Sequence, residues 1–351
     1  MSILFSPLKV GDLTLNNRII MAPLTRCRSG DSRIPNKLMA EYYASRATAG
    51  LIITEATSIS PMAVGYPRTP GIWSDEQIEG WKLTTTAVHN AGGKIFLQLW
   101  HVGRISHPSY LDGKLPLAPS AIAPLGHVSL MRPTTAFVTP RAIELSEIPD
   151  IIEEYRIGAL NAKKAGFDGV EIHGANGYLL DQFLQDHSNQ RNDEYGGSIE
   201  NRARLMLEVT DAVISVWGAG RVGMHLAPAC DAHSMGDSNP LTTFSYVAQE
   251  LGNRNIAFIC ARETQDKNSI GAQLKKAFGG VYIINQNLSQ ADAELIIENG
   301  NADAAAWGQL FIANPDLPAR FHHKSPLNQA DSNTFYTDGA KGYTDYSAIF
   351  F

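Results

Sequence analysis

Eight short apolar runs alternating with residues of helical period limit this chain to a small set of folds. The runs occupy 18–23, 51–56, 95–99, 169–173, 222–227, 256–260, 281–284 and 304–307. Between most of them lie amphipathic stretches. In 151–165 the apolar Ile152, Tyr155, Ile157, Ala159 and Leu160 are mixed with charges, and in 199–217 Leu205, Val209, Val213 and Val216 recur at helical spacing. Short unbroken apolar runs are strands buried on both faces, and a helix between each pair calls for a parallel sheet. Eight such units close into a (β/α)8 TIM barrel, an α/β fold that 351 residues can fill as a single domain, 1–351, with insertions. An open doubly wound sheet would alternate in the same way, but eight units at this regularity favour closure.

Three regions stand outside the repeat. Residues 7–17 read as a hairpin turning at Gly11-Asp12, a lid over the barrel bottom. A Pro-rich insertion after the third strand runs from His101 to Glu147, and a loop this long in a compact domain is usually functional. The tail from Pro326 carries Tyr336, Tyr343 and Tyr346, aromatic-rich for a disordered end.

Composition removes several functions. Hydrophobic residues make up 44% of the chain, enough for a large core and incompatible with disorder. With 18% charged residues, a formal net charge of −6 and no block of like charge, electrostatic binding of nucleic acid is excluded. The apolar runs are too short to span a membrane as helices, and no basic-then-apolar leader is visible, so a cytoplasmic protein is expected. Cys27, Cys230 and Cys260 are too scattered for a disulfide framework or a zinc site. His322-His323, and His101 with His107, lack further ligands at metal spacing, so no metal is expected. Residues 218–223 match G-x-G-x-x-G, but they end a helix and precede a strand, the reverse of the dinucleotide fingerprint. A helix cap and turn is expected there. No Ser or Cys stands in a nucleophile elbow.

Chemistry in such a barrel collects at the C-terminal strand ends. Those ends bring Thr25, Ala56, Gln98, Trp100, His173, His225 and the amides Asn285, Gln286 and Gln309. These are donors, amides and aromatics without a facing carboxylate pair. They suit a flat polar group and redox chemistry carried by a cofactor. His173 alone would read as a core histidine. With Asn176 on a glycine-loosened turn it can converge on one acceptor oxygen. The hydroxyl of Tyr178 is in reach of the same ligand, and an ordinary tyrosine is protonated at pH 7.

Several segments together resemble the Old Yellow Enzyme family. They are Asn17 through Arg26, Phe167 through Leu179, Phe183-Leu184 with Asn189, Arg191, Asp193, Tyr195, Gly196-Gly197 and Asn201-Arg202, then Phe311 through Leu317 and Tyr343 through Tyr346. The likeness covers nearly the whole chain. It implies FMN across the barrel mouth, NAD(P)H as reductant, and hydride delivered from flavin N5 to an alkene activated by a carbonyl or nitro group. Enones, nitroalkenes and nitro compounds are the implied substrates, phenols are expected ligands, and a monomer or small homo-oligomer is expected. The resemblance implies Thr25 at the flavin O4 edge, Gln98 at the pyrimidine edge, and the backbone of Pro23, Leu24 and Ala56 beside the ring. His173 and Asn176 would hold the substrate oxygen and stabilise its developing charge. Tyr178 would protonate the carbon opposite the hydride. Tyr66, Trp100 and Tyr343 would wall the pocket, although each suits ordinary packing equally.

The pattern breaks at the cofactor. Family members normally carry Arg or Lys at the strand-five end, against flavin N1 and O2; here His225 stands there. After strand eight the family's Gly-Arg, whose arginine grips the phosphate, is Gly308-Gln309, and after strand seven its small residue is Gln286, following Asn285. A charge-assisted bond is worth roughly 1.5–3 kcal/mol, so losing two weakens FMN by roughly 10²- to 10⁴-fold. Arg262, at the end of strand six, could compensate. Two readings follow: a working FMN reductase with unusual anchoring, or a degenerate homologue with weak or lost FMN binding, left as a ligand-binding or inactive barrel.

Overall fold

The chain opens with an antiparallel hairpin, β1 (Leu8–Val10) and β2 (Leu13–Leu15), in the computed structural model, which describes residues 2–349. Eight parallel strands then form a ring: β3 (Ile19–Met21), β4 (Leu51–Ile53), β6 (Ile95–Trp100), β9 (Gly169–His173), β10 (Val222–Leu226), β11 (Phe258–Arg262), β12 (Val281–Asn285) and β13 (Ala304–Trp307). The pairing of β4 with β6 at one side and of β13 with β3 at the other closes the barrel, as the eightfold alternation predicts. A two-residue strand β5 (Thr57–Ser58) extends the β6 edge, and β7 (Leu117–Ala118) pairs with β8 (Arg141–Ala142) inside the long insertion.

Alternation along the strands sorts two cores. On β11, Phe258 and Cys260 face the barrel interior with Ile20, Ile53 and Ile283, whereas Ile259 and Ala261 join the larger layer under the helices. That outer layer is covered by amphipathic helices such as α1 (Lys37–Ala44), α2 (Asp75–Asn90), α3 (Ile148–Lys164), α4 (Leu179–Leu184) and α5 (Ile199–Trp217). The helix expected over 199–217 is observed over that span, capped by the Ser198 side chain, which accepts from Asn201 N–H. The G-x-G-x-x-G stretch caps that helix: Gly218 sits at φ +76 and a short turn leads into β10. The hairpin does plug the barrel bottom. Asp12 N–H donates to Gly220 C=O at 3.0 Å, and Val10 and Leu15 join the interior core. A Cβ on Gly11, at φ +52, would come within 2.1 Å of Gly220 O, so the turn takes glycine.

Three strands differ usefully from expectation. The first two barrel strands end at Met21 and Ile53, and of the residues predicted to continue them Ala22, Pro23 and Ala56 line the mouth. The sixth lies two residues later than 256–260, which puts Arg262 in register with Asn285 at the rim. Among the described residues no helix is long and apolar enough to cross a membrane.

Candidate active site

A cavity of about 1010 Å3 opens at the C-terminal ends of the barrel strands. On one flank it is lined by Pro23, Leu24 and Thr25 after β3, Ala56 after β4, and Gln98 on β6. Gln98 Nε2 donates to Glu171 Oε2 at 2.7 Å. The other oxygen of this fully buried carboxylate has no partner, and both ring nitrogens of buried His225 are equally unpartnered, with Nδ1 3.8 Å from Glu171. Sealed polar groups without partners are costly unless an occupant satisfies them.

At one end of the cavity a clamped turn presents the three residues singled out in the sequence. Asn176 and Gly177 adopt left-handed backbone, φ +59 and +78. Gly177 N–H donates to Asp181 Oδ2 at 2.8 Å, its carbonyl accepts from Gln182 Nε2 at 2.7 Å, and His233 Nδ1 lies 2.8 Å from the Asn176 carbonyl. Burial pushes the Asp181 carboxyl up to about 7, against the pull of its Gln185 and Gly177 bonds. The turn aims Tyr178 into the cavity, its hydroxyl 2.8 Å from that of Tyr66, its ring edge-on to Trp100 and His173 at 5.0 Å each. Burial first, then Tyr66, holds the Tyr178 hydroxyl well above its ordinary value near 10. Burial, reinforced by His225 and Arg262, holds His173 well below 6.5. At pH 7 the tyrosine keeps its proton and the imidazole is neutral.

The opposite end is formed by Asn285 and Gln286 after β12 and by Gly308 and Gln309 after β13. Among the described residues no Lys or Arg side chain is directed to this end. Gln286 holds φ +98 and Asn287 φ +52, so the loop keeps a glycine-like path without glycine at its most strained point. Arg262 points away from this end: its Nη1 donates to Asn176 Oδ1 at 2.9 Å.

The structure corrects one residue. Tyr343 does not wall the cavity; it is fully buried, stacked on Tyr42 at 4.0 Å with the Arg28 guanidinium 4.7 Å from its ring. Arg26 draws the tail inward by donating to the Gly342 carbonyl, and Tyr336 from the same tail lines the cavity instead. Ser129 and Leu130 of the Pro-rich insertion also line it, so that loop is part of the site. Their only signal in the sequence was an over-long loop and an aromatic tail. His101 is a core acceptor, its Nδ1 taking the Gly103 N–H and burial pushing it down to about 3. Among the described residues, Glu171, His225 and Cys260 form a buried trio with ligand atoms within 4.8 Å, a grouping that the scattered cysteines did not announce.

The profile of the NADH:flavin oxidoreductase / NADH oxidase family matches residues 3–328. The chain belongs to this family. Among its relatives, 12-oxophytodienoate reductase 1 of Oryza sativa subsp. japonica is 45% identical, over 98% of this chain and 92% of the relative. The old yellow enzyme homologue of Zymomonas mobilis superposes with a TM-score of 0.96 at 44% identity, covering 98% and 99% of the two chains. Morphinone reductase in complex with tetrahydroNAD gives 0.96 at 47% identity, covering 99% and 98%. The chain is thus an Old Yellow Enzyme-type flavin oxidoreductase on a (β/α)8 barrel, and nothing in these likenesses favours the inactive-barrel alternative. The cavity fits the cofactor class that the family implies. The unpartnered nitrogens of His225, with Gln98 and Thr25, offer polar partners to the edge of a flavin ring.

Proposed function

We propose that this protein binds FMN along the cavity and, with NADH or NADPH as reductant, reduces activated C=C bonds of enones and nitroalkenes. The observation that carries this is the convergence of His173, Asn176 and Tyr178 on one end of a cavity of about 1010 Å3. The flavin, when bound, supplies the hydride to the carbon β to the activating group. His173 and Asn176 donate to the activating oxygen, stabilising the charge it gains as hydride arrives. Neutral His173 donates one N–H without itself surrendering a full proton. Tyr178 gives its proton to the α carbon, and the hydroxyl of Tyr66 at 2.8 Å is placed to share the resulting charge. Trp100 and Tyr66 wall the substrate against that tyrosine.

Gln98 and Thr25 would hold the ring edge and His225 its pyrimidine side, and the loops of Asn285, Gln286, Gly308 and Gln309 would take the phosphate through amides and backbone N–H groups rather than through a cation. Anchoring is correspondingly loose. The test is anaerobic. NADH or NADPH should bleach the flavin band of FMN-loaded protein, and 2-cyclohexenone should restore it. Bleaching without restoration by any enone or nitroalkene would overturn the assignment.

A further inference from the structure

Arg262 is the only Lys or Arg among the described residues lining the 1010 Å3 cavity, and no carboxylate lines it. Its position at the last residue of β11 sends the guanidinium across the mouth to the turn after β9, where Nη1 meets Asn176 Oδ1 at 2.9 Å. Arginine carries five N–H donors and accepts nothing, so this bond fixes which way the Asn176 amide faces. The oxygen is consumed by Arg262, and the Nδ2 hydrogens remain as donors for a ligand. A free amide could flip and present its oxygen, repelling the electron-rich atom the site must hold. Among the described residues the remaining guanidinium donors have no acceptor, so the side chain also brings an unneutralised positive charge beside that atom.

From this geometry we infer that Arg262 is a positioning residue that locks Asn176 as a donor and biases the oxygen-binding site toward anionic oxygen, phenolate over phenol and enolate-like over ketone. The inference rests on the proposed role of His173 and Asn176 as the oxygen-binding pair. The field of Arg262 reaches that pair, because it contributes to holding His173 neutral. His225, Asp181 and Glu171 also lie near, but the first two belong to the floor and the turn and the third is bound to Gln98.

The experiment is titration of FMN-loaded protein with para-chlorophenol, following the long-wavelength charge-transfer band across pH. Wild type should bind phenolate. Arg262→Met should lose roughly tenfold to hundredfold in affinity, the worth of one charge-assisted bond. Arg262→Lys, which keeps a charged donor, should stay within about threefold of wild type. Arg262→Gln, a donor without charge, should fall between and lose the preference for phenolate over phenol. If Met and Lys variants both bind within twofold of wild type, the inference fails while the oxygen-binding pair stands. Should Arg262→Met not retain FMN, the Lys and Gln variants decide: equal affinity and equal pH dependence overturn the role of charge. Absence of any band in wild type would instead overturn the underlying assignment of His173 and Asn176.

Discussion

The cavity end beside β9 and the end beside β12 and β13 are built by opposite means. Beside β9, a left-handed turn is held by Asp181, Gln182 and His233, and the rings of Tyr178 and His173 pack edge to face. Burial there tunes the chemistry, keeping the tyrosine protonated and the histidine neutral. Beside β12 and β13 the wall is amide and backbone. Gln286 occupies backbone that favours glycine, and Arg262, the only Lys or Arg among the described residues lining the cavity, turns toward the other end. On the proposed reading one end serves the reaction and the other takes the phosphate, to which the described residues supply no charge. Within one barrel mouth, the end proposed for chemistry and the end proposed for the phosphate are thus specified by different kinds of residue.

The largest expected effect breaks the reactive end alone. Tyr178→Phe should slow reduction of 2-cyclohexenone roughly 10²- to 10⁴-fold, as loss of a general acid does, with flavin reduction by NAD(P)H nearly unchanged. Stopped-flow measurement of each half-reaction separates the two. An equal fall in both would make Tyr178 a packing residue.

At the other end the expected effect is a gain. Gln309→Arg with Gln286→Gly should restore a cation and relax the loop, tightening FMN at least tenfold. Recovery of flavin fluorescence on dilution reports the dissociation. If wild-type protein already keeps stoichiometric FMN through dialysis, anchoring is not loose and the contrast between the ends disappears.

Gln286→Gly alone isolates the backbone contribution. Relief of the φ +98 conformation, less the entropy that glycine adds to the unfolded chain, should stabilise the cofactor-free protein by about 1 kcal/mol in urea unfolding. A loss of stability would mean that the Gln286 side chain, 3.3 Å from Thr264 Oγ1, holds the loop.

The smallest effect is a null that burial predicts. Tyr178 gives up its proton only well above pH 10 and His173 gains one only well below pH 6.5. The rate of enone reduction should accordingly vary less than about twofold between pH 7 and 9. A step within that window would assign the proton transfer to another group.

Legibility in the sequence followed how local each signal is. Strands β9 and β13 and helix α5 lie where apolar patterning placed them, because alternation and helical period are properties of neighbouring residues. His173, Asn176 and Tyr178 share one short segment, so their convergence was readable too. Tyr343 was misplaced because its burial depends on Arg26 and Arg28, some three hundred residues upstream, pulling the tail under the mouth. The direction of Arg262 depends on an acceptor two strands away, and the roles of Tyr336, Ser129 and Leu130 depend on how long loops fold back. Nothing in local pattern encodes such docking.

The seam between β3 and β13 joins the first and last strands of the ring, Ile19 opposite Ala305 and Met21 opposite Trp307. The segments leaving those two strands, Pro23–Thr25 and Gly308–Gln309, both line the cavity. The ring therefore cannot close until nearly the whole chain has been synthesised, and a contact so distant in sequence forms late and slowly. FMN bound as proposed would lie across both segments and act as a clasp over the last joint to be made. At a concentration a hundred times its dissociation constant it would add about 2.7 kcal/mol to the folded state. Flavin supplied during refolding would then raise the share of chains that reach the closed barrel.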